Sequence, residues 1–373
     1  MNRSFVVVSV GLRIVCTVLV VGFLMTSVAW AGSAGDDPVG YKEGFFIKSA
    51  DSPFQLKVQG RVQSRFTYEG VEGIDKGADD QANFAIQRAR LKISGSAWDK
   101  KVTYKFQTDY GQGAVVLKDF YVDYALNKGF HIRTGQWKRP FSRQQITSSG
   151  KQELVDRAIT DAAFGAGRDL GVAIHNNYEE SPGVEWALGI FNGTGDKPVF
   201  SASQFTNVPD RLNPTLVARV GYNYGGIDGY SEADFSGGPL RFALGTSVLK
   251  NFDSDDSGDA SMLAEVDAIV KVQGLSLSGG FYTSFDADNA LDGKGFHVQM
   301  GYLISNKYQP VVRYGLIDPD GDGNNTSEIA LGLSVYFHKH NLKWQTDVAS
   351  KRGEDVSISD GDTIVRSQLQ LAF

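Results

Sequence analysis

Basic side chains recur at even spacing in two stretches near the start of the sequence. Arg61 and Arg65 lie in the first stretch, and Arg88, Arg90 and Lys92 lie in the second. In an extended chain, residues two or four positions apart point to the same face, so each stretch would present a row of positive charge. Positive charge along a narrow aqueous passage attracts anions and repels cations. These residues are therefore candidate anion-contacting positions.

Other charged residues extend this set along the chain. The stretches that follow place three acids close behind the basic rows, and acids set against bases across a narrow lumen would create a transverse field. Because bases outnumber acids on the polar faces, we expect a mild preference for anions. The basic candidates are Arg61, Arg65, Arg88, Arg90, Lys92, Lys105, Arg133, Arg139 and Arg143, and the acidic candidates are Asp109, Asp119 and Asp123.

A run of aspartates in the C-terminal third has the spacing of a calcium site. Asp318, Asp320 and Asp322, followed by Gly323, match the start of a calcium-binding loop, D-x-D-x-D-G. The twelfth position, which usually carries a bidentate glutamate, is Ile329, and the flanking sequence has the periodicity of strands rather than helices. A Ca²⁺ site and a solvated exterior loop are therefore both open interpretations, and the sequence indicates no other cofactor.

Alternation of apolar and polar residues identifies the elements that must hold these side chains. Phe54, Leu56 and Val58 alternate with polar residues, and the same period of two runs from Val365 to Phe373. A strand of about 9–11 residues crosses a bilayer at a tilt. The pattern predicts sixteen strands, near 54–68, 82–97, 101–110, 115–126, 130–138, 169–178, 184–192, 214–224, 239–250, 261–272, 275–285, 294–305, 308–317, 327–338, 341–351 and 365–373.

The connections between these segments alternate between short and long. Short turns such as Asp99-Lys100 and Gln273-Gly274 alternate with long loops, of which residues 139–168 form the third and longest. Short turns on one side, long loops on the other and an even number of strands are typical of outer-membrane β-barrels. One connection, residues 225–238, is an exception, because it is long on the side of the short turns.

The composition narrows the alternatives. Of 373 residues, 43 are Gly and 12% are aromatic, which is unlike a disordered chain. A soluble β-sandwich or propeller would show the same alternation. Long strands, aromatic residues near the ends of the apolar faces, and a chain that ends on Phe373 favour an all-β, transmembrane antiparallel β-barrel of about 16 strands.

The N-terminus has the features of a secretory signal peptide. Arg3 and Arg13 precede an apolar run, and Ala29-Trp30-Ala31 is an A-x-A cleavage site. A membrane anchor is the alternative, but the apolar run is short for a span. The sequence is therefore divided into a signal peptide at 1–31, a short periplasmic segment at 32–52 and a barrel at 53–373.

Charge and cysteine content exclude some partners and some chemistry. The formal net charge is −6, and loss of the two signal-peptide arginines makes the mature chain more acidic still, which argues against nucleic acid as a partner. The one cysteine, Cys16, falls within the predicted signal peptide, so the mature protein would hold neither a disulfide nor a thiolate metal site.

Several short motifs follow one another in the first half of the sequence. Residues 132–142 read IRTGQWKRPFS and residues 168–171 read RDLG, while upstream 88–91 read RARL and 118–121 read KDFY. In order and spacing, residues 41–175 resemble the phosphate-selective porin O and P family. This resemblance implies a sixteen-stranded, water-filled, trimeric porin whose third exterior loop, here 139–168, folds into the lumen. It also implies that bases of the early strands hold the anion in passage, here Arg61, Arg65, Arg88, Arg90 and Arg133.

The predicted function is passive diffusion of small solutes across the outer membrane of a Gram-negative bacterium, with a preference for anions that the resemblance extends to phosphate. The expected partners are outer-membrane lipid and lipopolysaccharide, small anionic solutes and two further copies of the chain. An adhesin that binds through its acidic loops and a barrel hydrolase are the alternatives. The sequence contains no H-E-x-x-H, G-x-S-x-G or P-loop motif, so we do not expect an enzyme.

Overall fold

In the computed structural model, the described residues fall within Asp36–Phe373. No helix among the described residues is both long and apolar enough to cross a membrane. The predicted signal peptide, 1–31, lies outside the described residues. These are 38–50, 53–70, 80–113, 115–193, 200–201, 204–205, 214–252, 262–285, 292–319, 325–353 and 361–373.

Sixteen long strands in the described residues form a closed antiparallel barrel, as the sequence predicts. Closure is made by the first and last of them, with Arg61 opposite Ala372 and Gly70 opposite Thr363. The barrel strands are β3 (Gln55–Gly70), β4 (Gln81–Ala97), β5 (Asp99–Asp109), β6 (Val116–Asn127), β7 (Phe130–Lys138), β8 (Arg168–His175), β9 (Val184–Phe191), β12 (Thr215–Tyr224), β13 (Arg241–Asn251), β14 (Met262–Val272), β15 (Leu275–Phe285), β16 (Gly293–Tyr302), β17 (Tyr308–Pro319), β18 (Thr326–His338), β19 (Leu342–Arg352) and β20 (Asp362–Ala372).

Four short strands lie outside this set of sixteen. β1 (Val39–Tyr41) and β2 (Phe45–Lys48) form a hairpin within the predicted periplasmic segment, and β10 (Phe200–Ser201) and β11 (Gln204–Phe205) pair within the loop after β9. β2 pairs with residues 55–58 of β3, which extend beyond the point where β20 ends. The N-terminal hairpin therefore continues the wall past the C-terminus of the chain.

The period of two separates the two faces of the wall. Val220 and Val266 are 55% and 59% exposed, whereas the adjacent Arg219 and Asp267 are 1% and 3% exposed. A charged side chain on the lipid face of a barrel costs roughly 2–4 kcal/mol at the midplane, so the apolar row must be the outer one. The polar row therefore lines the interior.

The connection between β7 and β8 is anchored to this polar row. Residues 139–167, here called the inward segment, contain two short helices, α1 (Arg143–Ile146) and α2 (Ile159–Phe164). Wall side chains bind the segment's backbone: Lys343 donates to the carbonyl of Gln152 over 2.7 Å, and Arg313 donates to that of Asp156 over 2.8 Å. Such bonds satisfy backbone groups that a non-regular buried segment would otherwise leave unpaired.

Apolar contacts hold the same segment against the wall. Phe164 stacks on Tyr282 with ring centroids 5.6 Å apart, and Leu154 packs in a cluster with inward-facing alanines. Glycine on the wall makes room, because a Cβ at Gly332 would lie 2.4 Å from Leu154 and one at Gly295 would lie 2.6 Å from Phe164. The inward segment therefore packs closely against the wall strands that carry these glycines.

The long connection on the side of the short turns also contacts the interior. Residues 225–240, here called the turn-side segment, join β12 to β13 and include buried Tyr230, Glu232 and Asp234. The Glu232 backbone N–H donates to the Lys151 carbonyl over 3.1 Å, and the Glu153 N–H donates to the Glu232 carboxylate over 2.7 Å. The exception noted in the sequence is therefore a second segment that meets the inward segment.

Candidate functional site

A β-bulge sets the direction of the basic row on β4. Phe84 and Ile86 are exposed on the outer face, yet Arg88 and Arg90, which also have even numbers, lie on the inner face. The pairing of β4 with β3 shifts at this point, so that Gln87 has no partner in the ladder. The extra residue reverses the parity of the strand. Without it, both arginines would face lipid.

The inward segment contacts the basic row through its serines. Arg61 donates to the hydroxyls of Ser148 and Ser149 over 2.9 and 3.0 Å, and Arg90 donates to Ser149 over 3.4 Å. A Cβ at Gly150 would lie 2.2 Å from an Arg61 nitrogen, so this part of the segment approaches the arginine closely. The passage beside Ser148 and Ser149 is thus lined by guanidinium and hydroxyl groups.

One aspartate of the inward segment sits among three arginines. Asp156 pairs with Arg65 on β3 at 2.7 Å and with Arg366 on β20 at 3.3 Å, and Arg88 lies 3.8 Å away. Burial raises the pKa of Asp156, but the guanidinium groups of Arg65 and Arg366 outweigh it and lower the pKa to about 2. The carboxylate therefore neutralises part of the basic row.

The three acidic candidates form ion pairs with neighbouring bases. Asp109 lies 2.7 Å from Arg90, and Asp119 lies 2.7 Å from Lys105. Asp123 lies 2.8 Å from Arg133. The predicted acidic row is therefore not set against the basic row across an open lumen. Strand neighbours in an antiparallel sheet lie only about 5 Å apart, which favours direct pairing.

Two further basic candidates anchor the inward segment. Arg143 is 4% exposed and donates to Asp267 over 2.7 Å, and Arg139 lies 3.8 Å from Asp169. Neither lines the two cavities described below. Arg61 and Lys92, by contrast, have no ion-pair partner in the part of the chain that the structure describes. The excess positive charge of the interior therefore comes from β3 and β4.

Two cavities lie beside the inward segment. The upper cavity, of about 600 Å³, is on the side of the long loops and is lined by Arg88, Asp156 and Arg366 among others. The lower cavity, of about 570 Å³, is on the side of the short turns and is lined by Lys57, Arg61, Arg90, Lys92 and Lys151, with Glu43 and Glu180. The candidate basic residues of β3 and β4 are thus divided between the two.

The candidate metal residues are only partly visible. Asp318 lies near the end of β17, whereas Asp320 and Asp322 fall outside the described residues. The calcium site therefore stays a prediction.

A second cluster offers metal-type ligands but is already hydrogen-bonded. Atoms of Asp123, His131 and His175 lie within 4.8 Å of one another. The Asn177 N–H donates to His175 Nδ1, so the proton of His175 is on Nε2, which donates to Asp123 over 2.8 Å. With Arg133 on the same carboxylate, the cluster is a hydrogen-bonded ion pair rather than an open site.

Sequence reasoning missed two contributors to the site. Arg366 lies near the end of the sequence, and alternation along a single strand does not show that it neighbours β3, because barrel closure joins positions about 300 residues apart. For Asp156, the sequence shows only that it lies in a long loop and does not predict its contact with the arginines. The alternation rule reports the face of a strand residue and says nothing about where a loop residue comes to rest.

Comparison with known proteins adds the family. Residues 56–211 match the family model described as phosphate-selective porin O and P. The predicted family resemblance is confirmed. Together with the closed barrel, it identifies a porin-type channel in the outer membrane of a Gram-negative bacterium and points away from an enzyme.

Other proteins share parts of these features. An "Uncharacterized protein" of Aquifex aeolicus (strain VF5) is 24% identical over 366 residues, which cover 85% of this chain and 87% of that protein. The outer membrane channel DcaP of Acinetobacter baumannii has a TM-score of 0.56 at 14% identity and covers 88% of this chain and 99% of its own. The high-pH structure of Pseudomonas putida OprB also has a TM-score of 0.56, at 11% identity, covering 85% and 94%. These structures share the barrel fold with this porin.

Proposed function

We propose that this porin lets small anions pass in preference to cations, along a path beside strands β3 and β4. The observation that carries the proposal is the surplus of unpaired bases there. Arg61 and Lys92 have no carboxylate partner within the described residues, and Arg88 shares the single carboxylate of Asp156, 3.8 Å away, with Arg65 and Arg366. Fixed positive charge in a narrow, poorly screened passage raises the local concentration of anions.

The family name supports phosphate as one such anion, because it describes phosphate-selective porins. We also propose export with loss of residues 1–31 and assembly into a trimer, which rest on the signal-peptide pattern and on the family resemblance. The acidic exterior loops would then face lipopolysaccharide. Calcium binding at Asp318, Asp320 and Asp322 stays a proposal of the sequence alone.

Reversal potentials in a planar bilayer test the anion preference. Under a KCl gradient, the mature protein should favour chloride, and the preference should weaken as salt rises, because the Debye length falls to about 3 Å at 1 M. Arg61→Gln with Lys92→Gln should lower the chloride-to-potassium permeability ratio by about twofold to threefold, which corresponds to roughly 0.6 kcal/mol.

Lys100→Gln is the matched control, because Lys100 is an exposed base at the start of β5 and lines neither cavity. It changes the net charge without changing the passage, so it should leave the ratio unaltered. A wild-type channel that prefers potassium at low salt would refute the anion preference and leave the porin fold intact.

A further inference from the structure

The upper cavity has two unlike sides. Around the barrel wall, Arg88 on β4, Arg366 on β20 and Lys351 on β19 form one side. The other side carries the apolar side chains of Ile317 on β17 and of Ala162 and Ala163 on α2, and Asp161 and Glu328 also line the cavity. A volume of about 600 Å³ is within the range of sites for small organic ligands. The cavity therefore combines a basic end with an apolar end.

The basic end has a free hydrogen-bond donor. Arg366 uses Nε on Asp347 at 2.6 Å and Nη1 on Asp156 at 3.3 Å. Its Nη2 has no hydrogen-bond partner within the described part of the chain, although the residue is only 7% exposed. A buried donor without an acceptor is costly, so this position favours an acceptor from a solute. Arg88 lies close by, with Asp156 3.8 Å from its Nη2.

The helix α2, which forms part of the apolar end, is fixed to the barrel wall. On α2, Phe164 stacks on Tyr282, and the hydroxyl of Thr160 hydrogen-bonds to His297 at 2.8 Å, so this face of the helix is fixed to the wall. Ala162 and Ala163 lie on the opposite face and are exposed. Their methyl groups offer a rigid apolar surface without hydrogen-bonding groups.

We propose that the upper cavity binds carboxylates with a small apolar body, such as aromatic monocarboxylates, rather than inorganic phosphate. The carboxylate would meet Arg366 Nη2 and Arg88, and the apolar body would lie on Ala162, Ala163 and Ile317. Phosphate has no apolar part to place on that side, so it gains nothing from Ala162, Ala163 and Ile317. This inference rests on the proposed entry of anions into the same passage.

Block of the KCl current by added solutes tests this inference. Benzoate, acetate and phosphate would be titrated from the loop side at constant ionic strength and pH 7.5. Benzoate should block at about one tenth of the concentration needed for acetate, the effect of burying roughly 50 Å² of apolar surface. Phosphate should be no better than acetate.

A variant pair separates the two ends of the cavity. Ala162→Ser with Ile317→Ser should weaken benzoate block by about threefold to fivefold and leave acetate block unchanged, since only the apolar contact is reduced. Arg88→Gln should weaken block by both carboxylates. Ala125→Ser, on β6 beside the short turns and away from the upper cavity, is the matched control and should change neither.

Several results would overturn the inference. Phosphate block at a lower concentration than benzoate would show an inorganic anion site, and absence of block by benzoate would show no site at all. Equal loss of benzoate and acetate block in the Ala162/Ile317 variant would remove the apolar contact from the account. A channel that prefers potassium but is still blocked by benzoate would refute the proposed anion preference and leave this inference standing.

Discussion

Asp156 offsets part of the positive charge of the arginines that line the passage. It is a carboxylate from the inward segment, 31% exposed, in contact with two arginines and near a third. Because its pKa is lowered to about 2, it is ionised at neutral pH. It therefore neutralises part of the positive charge of Arg65 and Arg366. The free bases of β3 and β4 supply the positive charge that remains.

Removal of this charge should strengthen the anion preference. Asp156→Asn keeps the size of the side chain and removes one negative charge, so the chloride-to-potassium permeability ratio should rise by about twofold, or roughly 0.4 kcal/mol. The measurement is the reversal potential at low salt. Glu179→Gln is the charge-matched control, because Glu179 is 33% exposed, pairs with Arg133 and lines neither cavity. An unchanged ratio in Asp156→Asn would show that this aspartate does not face the ion path.

At the scale of elements, the contact between the inward and turn-side segments is the most distinctive feature. Gln299 on β16 donates to the carboxylates of both Glu153 and Glu232 at 3.0 Å, so the two acids lie side by side. Burial and the charge of Glu232 raise the pKa of Glu153 to about 7, although Lys271 on β14 acts in the opposite direction. Glu153 therefore takes up a proton near neutral pH when the segments are in contact.

This contact should weaken as pH rises. A carboxyl whose pKa is higher in the docked state than its ordinary value near 4.5 favours docking fully below pH 4.5, and the advantage is lost as pH rises from 4.5 to about 7. The whole change is at most about 3 kcal/mol, given 1.36 kcal/mol per pKa unit. We therefore expect single-channel current fluctuations to be rare at pH 5 and frequent at pH 8.

Glu153→Gln tests the assignment, because glutamine mimics the protonated acid. The variant should remain quiet at both pH values. Asp228→Asn removes the exposed 3.3 Å pair between Asp228 and Lys151 of the inward segment and leaves Glu153 unchanged, so it should keep the wild-type pH response. If wild type and Glu153→Gln respond alike, another group controls the fluctuations.

At the scale of the whole molecule, the wall is built to face lipid on one side and charge on the other. The outer face is apolar from β3 to β20, with aromatic side chains such as Phe120, Tyr222 and Tyr302 exposed on it. The inner face carries buried arginines in networks with acids of neighbouring strands, such as Arg219 with Asp267 at 2.7 Å. Such a wall closes on itself and leaves no free strand edge among the sixteen barrel strands.

Oligomeric state is the prediction that belongs to this scale. Detergent-purified mature protein that has not been heated should migrate in gels as a trimer. After heating, it should migrate as an unfolded single chain, with lower mobility than a folded single barrel. A closed barrel without free edges resists detergent, which is the reason for the heat dependence. Chemical cross-linking before heating gives the control. A single band of one-chain mass at all cross-linker concentrations would contradict the trimer.

The barrel and the direction of its strand residues follow from local sequence patterns. Alternation with period two follows from the geometry of a single strand, so it can be recognised without knowing the neighbouring strands. It predicted all sixteen strands and the inward positions of Arg61 and Arg65. The alternation of short and long connections gave the sidedness in the same way. It also exposed the turn-side segment as an exception.

Tertiary structure alone decided which charges remain free. Asp109, Asp119 and Asp123 became partners of adjacent bases, and Arg143 became an anchor for the inward segment. Pairing energies depend on distances between side chains on different strands and on loops, and these distances are fixed only when the barrel closes. The place of Asp156 among the arginines and the meeting of Glu153 with Glu232 join segments that are far apart in the chain. The bulge at Gln87 depends instead on the register of β4 against the neighbouring strand β3.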